Sequence, residues 1–351
     1  MEKMRKLIIC LISCSTFYGL QAQVIEGTVY DAKTKETIPG VVIYLDGTTI
    51  NTTTDRDGRF RLVINQTVNT KLVFSHLSYE SLIITPPFER LGKTIFLNEK
   101  TNILQEARVV AGRDWFPRET KMTVFKEQFL GTSEAGKSCT ILNEDDIVLT
   151  YDNTTNILTG YSRQPIIIEN RYLAYLVTFD LHSFSVHYTE SNTLDMRKSF
   201  KVAFKGTSSF VDQSPYSIRF KTRRDETYLR SKQYFFKNLV ANTLEEAKFR
   251  LFNRVARINP EQYFMTDGQE AFIIPGTNIR SRHNMVEEGP IYGVIRILYD
   301  NTLTSEIVFL TNKVSVDEFG NPDTVDNLIF FGDMGGQRLG NMLPRDFVWR
   351  P

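Results

Sequence analysis

Short segments in which apolar and polar residues alternate fill the chain between residues 24 and 110. They lie at 24–30, 41–45, 48–54, 59–64, 71–74, 79–84, 93–97 and 107–110, they are divided by turn residues, and they show no helical period. The Asp57-Gly58 pair is a strong two-residue hairpin signal, because glycine readily adopts the positive φ that such a turn requires. About eight short strands at a spacing of roughly 8–12 residues predict an antiparallel β-sandwich.

The pattern changes after Gly112, which begins a charged stretch that ends at Pro117 and separates two regions. Met122, Phe125 and Phe129 recur at the spacing of a helix, and Gly131 is suited to end it. Further alternating segments then predict strands at 147–149, 157–158, 165–168, 173–179, 184–188 and 200–204.

Two more helices are predicted in the middle of this second region. Residues 228–240 are rich in helix formers and aromatics, and Thr243 and Glu246 make a capping box. The apolar stripe of the second helix consists of Leu244, Ala247, Leu251 and Val255. The chain returns to strands at 271–274, 291–299, 306–310 and 328–331, with a turn at 317–321. We therefore predict a strand-rich α+β domain at 112–351 after a sandwich domain at 23–111.

Residues 1–22 have the features of a secretory signal peptide. A basic start at 3–6 precedes an apolar run at 7–12 that is too short and too polar to span a membrane. We expect export with cleavage after Ala22. The sequence around Cys14 also resembles a bacterial lipobox, which would leave that cysteine acylated, and both alternatives stay open.

Composition and charge exclude several classes of protein. Hydrophobic residues make up 41% of the chain and charged residues 24%, which excludes a disordered or low-complexity protein. The formal charge of +1 gives no reason to expect a nucleic-acid partner, and we predict none. Three cysteines are too few for a disulfide scaffold. Without the leader only Cys139 is left, so the stability of the exported chain must come from its core.

Two combinations of residues suggest catalysis and have simpler explanations. His187 and Glu190 form an H-x-x-E pair with His283 further along, which is the ligand pattern of zinc carboxypeptidases. Such a site needs a surrounding catalytic domain, whereas His187 lies in a strand-like stretch. Cys139 with His182 or His187 would suggest a thiol nucleophile, but a lone cysteine beside apolar residues is more often a small buried side chain. We therefore assign no catalytic, cofactor-binding or metal residue.

Two charged clusters are also best explained without a ligand. Residues 55–58 resemble part of a calcium loop, but Arg59 and Arg61 occupy the stretch that would have to supply further oxygen ligands. We predict a turn there. The basic run from Arg219 to Lys237 is predicted to be a solvated face, with contact to anionic lipopolysaccharide or glycan as the alternative.

Four motifs of the first region together resemble the carboxypeptidase regulatory-like domain. They are GTVYD at 27–31, IPGV at 38–41, LDGT at 45–48 and TDRDGRF at 54–60. The resemblance implies a transthyretin-like (prealbumin-like) sandwich of seven to eight strands, common at the start of exported Bacteroidetes proteins, including TonB-dependent receptors. It implies no catalysis, because in carboxypeptidases this module is an accessory to a separate zinc domain.

A second set of motifs resembles the uncharacterised C-terminal region of Bacteroidetes proteins that carry this regulatory-like domain. The set consists of FLG at 129–131, CTILN at 139–143, IEN at 168–170, LAY at 173–175, Arg338, and LP at 343–344. In the middle of the LAY element that region has a glycine, where this chain has Ala174. The resemblance implies an architecture and no activity.

These observations predict an exported cell-envelope protein, periplasmic or associated with the outer membrane or cell surface. Its role is expected to be non-enzymatic binding or scaffolding, with another envelope protein or a glycan as partner and with no cofactor. Two alternatives are a hydrolase of peptide or glycan and an auxiliary to a TonB-dependent outer-membrane transporter. The sequence leaves the oligomeric state and the association with the outer membrane open.

Overall fold

The computed structural model describes residues 23–65, 68, 70–85, 92–100, 116–253, 256–274, 290–323 and 327–350. The predicted signal peptide, the Cys14 alternative, the last predicted strand of the sandwich and most of the predicted joint lie outside these residues. With 44% of residues in strands and 19% in helices, the prediction of a mainly β chain is confirmed. Three hydrophobic cores divide the described residues into a sandwich before residue 101, a six-stranded unit that begins at residue 116, and a five-stranded unit that begins at residue 232. The five-stranded unit is named after its main sheet and also contains a smaller sheet of three strands. Within the same ranges, no helix is both long enough and apolar enough to cross a membrane.

The sandwich contains seven of the described strands in two sheets. They are β1 Gln23–Asp31, β2 Val42–Leu45, β3 Asn51–Thr53, β4 Arg59–Ile64, β5 Leu72–His76, β6 Tyr79–Ile84 and β7 Thr94–Leu97. One sheet has the order β4-β1-β7 and the other β3-β2-β5-β6. The sandwich is not purely antiparallel as predicted, because β1 and β7 pair in parallel. The strands that lie between them in sequence supply the crossover that a parallel pair needs.

The predicted turn at residues 55–58 is confirmed, but it joins two sheets instead of two paired strands. Gly58 has a φ of +72° and donates its N–H to the Asp55 carbonyl at 3.0 Å. The Asp55 carboxylate accepts the backbone N–H groups of Asp57 and Arg59, both at 2.9 Å. On either side of the turn, β3 pairs with β2 and β4 pairs with β1. Carboxylate-to-backbone bonds thus stabilise this turn.

The six-stranded unit begins with the predicted helix, α1 Arg118–Phe129, followed by the short α2 Glu134–Lys137. Its strands are β8 Cys139–Ile141, β9 Ile147–Asp152, β10 Ile157–Ser162, β11 Ile166–Asn170, β12 Tyr175–Tyr188 and β13 Ser199–Asp212. Strands β12 and β13 form a long hairpin; β11 and then β10 pair with the other edge of β12. Helix α1 packs on this sheet because Phe125 lies 4.8 Å from Phe184 and Phe129 lies 5.0 Å from Phe179, measured between ring centroids.

The predicted helix at 228–240 is in fact two helices, α3 Ile218–Leu229 and α4 Lys232–Val240. The helix is interrupted between Leu229 and Lys232. The hydroxyl of Ser231 caps α4 by accepting the N–H of Tyr234 at 3.1 Å. The aromatic and aliphatic residues of α4 belong to the core of the five-stranded unit. Residues 228–240 therefore cross from one unit to the next.

The predicted helix that begins at the Thr243 capping box is wrong. Residues 244–248 make one turn, and β14 Phe249–Asn253 follows at once. Lys248 adopts a φ of +66°, and the N–H of Phe249 bonds to the carbonyl of Leu244 at 2.7 Å, which is the Schellman arrangement that ends helices. Leu251 is buried as part of a strand, and Val255 lies outside the described residues.

The five-stranded unit continues from β14 through seven more strands and one short helix. These are β15 Ala256–Ile258, β16 Phe264–Thr266, β17 Glu270–Ile273, β18 Gly293–Tyr299, β19 Leu303–Phe309, β20 Lys313–Ser315, β21 Leu328–Phe331 and α5 Gly332–Gly336. Strand order is β15-β14-β18-β19-β21 in the main sheet and β16-β17-β20 in a smaller one. Short 3₁₀ turns occur at Glu144–Asp146, Met196–Lys198, Pro260–Gln262 and Leu339–Asn341.

Residues 338–349, which we call the closing segment, return from the five-stranded unit to the six-stranded unit. The N–H of Gly340 donates to the Leu130 carbonyl at 2.9 Å. The buried amide of Asn170 donates to the Gly340 carbonyl at 3.0 Å. Further along, the ring of Trp349 stacks on Tyr228 at 6.2 Å between centroids. The closing segment thus ties the two units together.

The sandwich contacts the six-stranded unit and the closing segment mainly through its loop at 46–50. Two strand residues add to this contact: the Tyr44 and Thr207 hydroxyls are 2.9 Å apart, and the Ser81 hydroxyl donates to the Asp180 carboxylate at 2.8 Å. We call the whole contact the sandwich junction. The Asp46 carboxylate accepts the N–H of Ser208 at 2.7 Å, and the N–H of Gly47 donates to the Ser208 carbonyl at 2.6 Å. The hydroxyl of Thr49 donates to the Asp346 carboxylate at 2.5 Å. Burial raises the pKa of both Asp46 and Asp346. The independence of the 23–111 domain stays a prediction.

Candidate functional site

The structure gives His187 and Glu190 separate partners. His187 lies in β12, with its Nε2 3.2 Å from the Ser185 hydroxyl, and burial and then the nearby Lys201 lower its pKa. Glu190 lies beyond the end of the strand and accepts a hydrogen bond from Lys198 at 2.6 Å. His283 lies outside the described residues. Among the residues that are described, no group of three His, Cys, Asp or Glu side chains could hold a metal ion.

Cys139 lies far from both candidate histidines along the sheet. It pairs with Asn170 of β11, whose partner on β12 is Tyr175. His182 is seven residues further along β12, roughly 23 Å at the rise of an extended strand. Burial raises the pKa of the Cys139 thiol to about 12, and the thiol donates to the Ala135 carbonyl at 3.3 Å. A neutral, partly buried thiol with this partner is not an activated nucleophile.

The basic run on α3 and α4 is only partly solvated. Arg224 is buried, and its guanidinium donates to the Asp212 carboxylate at 2.7 and 2.8 Å and to the carbonyls of Leu173 and Ala174. Lys232 lies over the Phe330 ring at 4.3 Å, and burial, with Arg338 nearby, lowers its pKa to about 8. The predicted solvated face is therefore wrong for these two residues, because Arg224 covers the Tyr175 ring at 4.0 Å and Lys232 covers the Phe330 ring. It holds for the exposed residues Arg219, Lys221, Arg230 and Lys237.

A groove of about 520 Å³ lies where the six-stranded and five-stranded units and the closing segment meet. It is lined from one unit by α2 and the end of α3, and from the other by α5 and the turn between β18 and β19. Side chains able to contact a ligand there are Ser133, Glu134, Tyr172, Glu226, Thr227, Arg230, Tyr299, Asp333, Gln337 and Asn341. The site thus draws on segments that are distant in sequence.

Hydrogen bonds across the groove hold its two sides together. The Ser133 hydroxyl accepts the N–H of Gly136 at 3.1 Å as the cap of α2 and bonds to the side-chain oxygen of Asn341 at 2.8 Å. The amide of Gln337 donates to the Arg230 carbonyl at 2.7 Å. At the base, a Cβ on Gly340 would overlap the backbone of Gly136, so this approach requires glycine. The segments that form the groove, which we call its frame, are therefore closely packed against one another.

Two tyrosines supply the aromatic surface of the groove. The Tyr299 ring packs on Phe249 at 4.8 Å between centroids. Burial raises the pKa of Tyr299, with Arg230 acting weakly in the opposite direction, so this phenol is neutral at physiological pH. The backbone of Tyr172 is held by the Ser138 hydroxyl at 3.1 Å, and the Arg223 guanidinium lies 4.3 Å from the centre of its ring.

The chemistry of the lining favours a polar ligand that is not an anion. Hydroxyl and amide groups that donate and accept hydrogen bonds lie beside the aromatic rings. Glu134, Glu226 and Asp333 are exposed at the rim, against the single guanidinium of Arg230. This excess of negative charge disfavours anionic ligands. A chain of sugar hydroxyls meets these requirements.

Of the lining side chains, only those within the basic run from Arg219 to Lys237, among them Arg230, lay in a stretch singled out from the sequence. The other lining side chains lie beside motifs that were singled out. The FLG motif ends three residues before the start of α2, and Gly131 lies against the side chain of Arg338. The IEN and LAY motifs flank Tyr172, and Asn170 binds the backbone of Gly340. Four of the motifs of the second resemblance, FLG, IEN, LAY and Arg338, therefore lie beside the groove lining, and they were the signal that the sequence offered for its position.

Comparison with known proteins identifies the first part of the chain. Residues 25–110 match the family model of the CarboxypepD_reg-like domain. The first resemblance is thus confirmed for the sandwich, over less than half of the chain. No curated protein matches the chain. Among solved structures, the crystal structure of a 9R-lipoxygenase from Cyanothece PCC8801 is 7% identical, with a TM-score of 0.17, and the match covers 60% of this chain and 45% of that one. A similarity this low carries no functional argument.

Proposed function

We propose that this is an exported cell-envelope protein with a non-enzymatic binding role, and that its groove binds a neutral or cationic glycan segment. The observation that carries the proposal is the pairing of two tyrosines with hydroxyl and amide groups in one groove between two units. The match of residues 25–110 supports a non-catalytic role for the sandwich. The leader-like start supports export, and origin in Bacteroidetes belongs to the same proposal.

The mode of binding follows from how the groove is held. Ser133, Gln337 and Asn341 are fixed by hydrogen bonds within the frame, so they would meet a ligand with little loss of side-chain freedom. The rings of Tyr172 and Tyr299 would contact the apolar faces of sugar rings. Affinity would therefore depend on both the aromatic contacts and the fixed amides.

The test is calorimetric titration of the full chain with neutral and amino-sugar-containing oligosaccharides released from bacterial envelopes. Tyr299→Ala and Gln337→Ala are expected to weaken binding about tenfold or more, because each removes an aromatic or hydrogen-bonding anchor. Tyr292→Ala is the matched control, since this partly exposed tyrosine lies on the same unit outside the groove lining. Absence of binding by the wild-type chain, or equal binding by all variants, would overturn the proposal.

A glycan hydrolase is the second candidate, and the carboxylates at the rim favour it. Glycosidases use a pair of carboxylic side chains on either side of the scissile bond. Incubation with the same oligosaccharides tests this function through the appearance of new reducing ends. Turnover that disappears in both Glu134→Gln and Glu226→Gln would establish hydrolysis in place of simple binding. An auxiliary role beside a TonB-dependent transporter is the third proposal, and only the sandwich supports it.

A further inference from the structure

The fold leaves two large side chains uncovered at the start of α3. Tyr216 is 97% exposed and Ile218 is 82% exposed. They lie four and six residues after the end of β13, beside a turn where the N–H of Ser217 bonds to the carbonyl of Ser214 at 3.3 Å. We call residues 213–224 the α3 tip. Side chains of this size that project together from one turn indicate a contact surface.

The α3 tip is also strongly basic. Residues 213–224 contain Arg219, Lys221, Arg223 and Arg224 and no acidic residue. The first two are exposed, and the Arg219 guanidinium lies near the Phe220 ring, 5.6 Å from its centre. No ion pair joins Arg219 or Arg223 to a carboxylate within the described part of the chain. The exposed apolar side chains are thus accompanied by positive charge.

The acidic residues that border the tip are mostly neutralised by ion pairs. Asp212 pairs with the buried Arg224 at 2.7 Å. Asp225 pairs with Lys221 at 2.6 Å, one turn along the helix. Glu226 comes after both pairs in the sequence, and its side chain lines the groove. The half-buried Arg223 guanidinium lies over the Tyr172 ring and donates to the Tyr172 carbonyl at 3.3 Å. The exposed guanidinium of Arg219 is therefore the charge that is available to an external anion.

We propose that the α3 tip docks the protein on a bilayer surface that contains anionic lipids. Tyr216 and Ile218 enter the interfacial region, and Arg219 and its basic neighbours contact headgroup phosphates. Tyrosine is favoured at the membrane–water interface, and basic residues are drawn to anionic headgroups. A projecting tip that combines both features fits a soft, extended surface better than a preformed protein pocket. This inference does not depend on the groove and goes beyond the proposed glycan binding.

The test is co-sedimentation of the full chain with vesicles, at low salt. Vesicles of phosphatidylcholine with one third phosphatidylglycerol are expected to bind the protein, and pure phosphatidylcholine vesicles much less. Arg219→Glu is expected to reduce binding about fivefold for each unit of charge removed. Ile218→Ser is expected to reduce vesicle binding about tenfold, because binding then no longer removes the apolar surface of an isoleucine side chain from water. Raising the salt concentration should release the bound protein.

Two matched variants control for effects of charge and exposure alone. Arg56→Glu reverses an exposed charge in the sandwich, and Leu142→Ser removes an exposed leucine beside β8. Both are expected to bind vesicles as the wild type does. The proposal is overturned if the wild type binds neither vesicle, if it binds both equally, or if the controls lose as much binding as Arg219→Glu and Ile218→Ser. Binding to an envelope protein in the absence of vesicles, lost in the same two variants, would also overturn it.

Discussion

The sandwich junction and the contact between the two later units differ in chemistry. At the junction, polar groups of the 46–50 loop meet backbone of β13 and the carboxylate of Asp346. Between the later units, Tyr228 and Tyr234 pack with Trp349 of the closing segment, at 6.2 and 5.7 Å between ring centroids. Tyr234 contacts the cores of both units.

This difference indicates how strongly each contact holds its two parts together. Aromatic side chains remove large apolar areas from water, whereas the net contribution of a hydrogen bond is only about 1 kcal/mol. We therefore expect the six-stranded and five-stranded units to unfold as one body. The sandwich should be attached to that body by a weaker contact.

Truncation of the aromatic contact should have the largest effect. Tyr228 is fully buried, so Tyr228→Ala is expected to lower the free energy of unfolding of the two later units by about 3–5 kcal/mol. Urea denaturation followed by tryptophan fluorescence measures this loss. Tyr216→Ala removes the same side chain from an exposed position and should change stability by less than about 0.5 kcal/mol. Equal losses in the two variants would contradict the comparison.

Removal of the buried Asn170 amide should have the next largest effect. Asn170 donates to the Gly340 carbonyl and accepts the N–H groups of Tyr172 and Leu173. Asn170→Ala leaves buried backbone groups without partners, so we expect a loss of about 2–3 kcal/mol. Hydrogen exchange should also accelerate at residues 339–343. The exposed Asn51, changed to alanine, provides the control, and an unchanged exchange rate in Asn170→Ala would argue against this role.

The sandwich should stay folded when it is separated from the rest of the chain. A fragment of residues 23–111 keeps the two sheets and the core of Val29, Leu62 and Phe74. We expect it to fold alone, with a β-type circular dichroism spectrum and a cooperative melt, and to lose no more than about 1 kcal/mol for each hydrogen bond of the absent junction. An unfolded fragment would mean that the junction, and not the core, holds the sandwich together.

A single contact of the junction should contribute less. Thr49→Ala removes the hydroxyl that donates to Asp346 and keeps the N–H that donates to the same carboxylate. We expect the sandwich in the full chain to lose about 1 kcal/mol, measured by its thermal transition. Thr52→Ala, in the middle of β3, is the control on a strand outside the junction. A loss confined to the control would refute the assignment.

The pH dependence of the junction should be the smallest effect. Burial raises the pKa of Asp46 in the folded protein above its ordinary value near 3.9. The folded state therefore binds this proton more tightly, so the associated stability is complete below that ordinary value and is lost as the pH rises through the raised pKa. Hydrogen exchange at residues 207–210 should accelerate over this interval. In Asp46→Asn the acceleration should be reduced, and an unaltered pH profile would count against Asp46.

Local signals in the sequence identified those elements that short-range physics determines. The turn at Gly58 and the α1 face of Phe125 and Phe129 were predicted because a few neighbouring residues specify them. The helix at Thr243 was predicted wrongly, because β14 pairs with β18, about fifty residues away, and a Schellman bond ends the helix after one turn. The groove escaped prediction for the same reason, since its lining comes from segments that only the closing segment brings together.

The backbone conformation of Ala174 was indicated by a sequence motif, but the contacts that hold it were not. The second resemblance placed a glycine at this position, and the structure gives Ala174 a φ of +56°, a conformation that costs alanine roughly 1–2 kcal/mol. Its carbonyl accepts hydrogen bonds from Arg224 at 3.1 Å and from the N–H of Gln213 at 3.0 Å. The sequence marked the position as unusual, but the distant arginine that holds it there was visible only in the fold.

The position of the closing segment in the chain has a consequence for biosynthesis. A ribosome produces residues 338–349 after every strand of both later units, so during translation the sheets exist before the groove between them does. Until then, Leu130, Asn170 and Tyr228 face places that only later residues will fill. A released chain that ends before residue 338 would therefore carry the sandwich beside two sheets that are joined through α3 and α4 but lack the closing segment, and the uncovered surfaces would be exposed to chaperones and proteases.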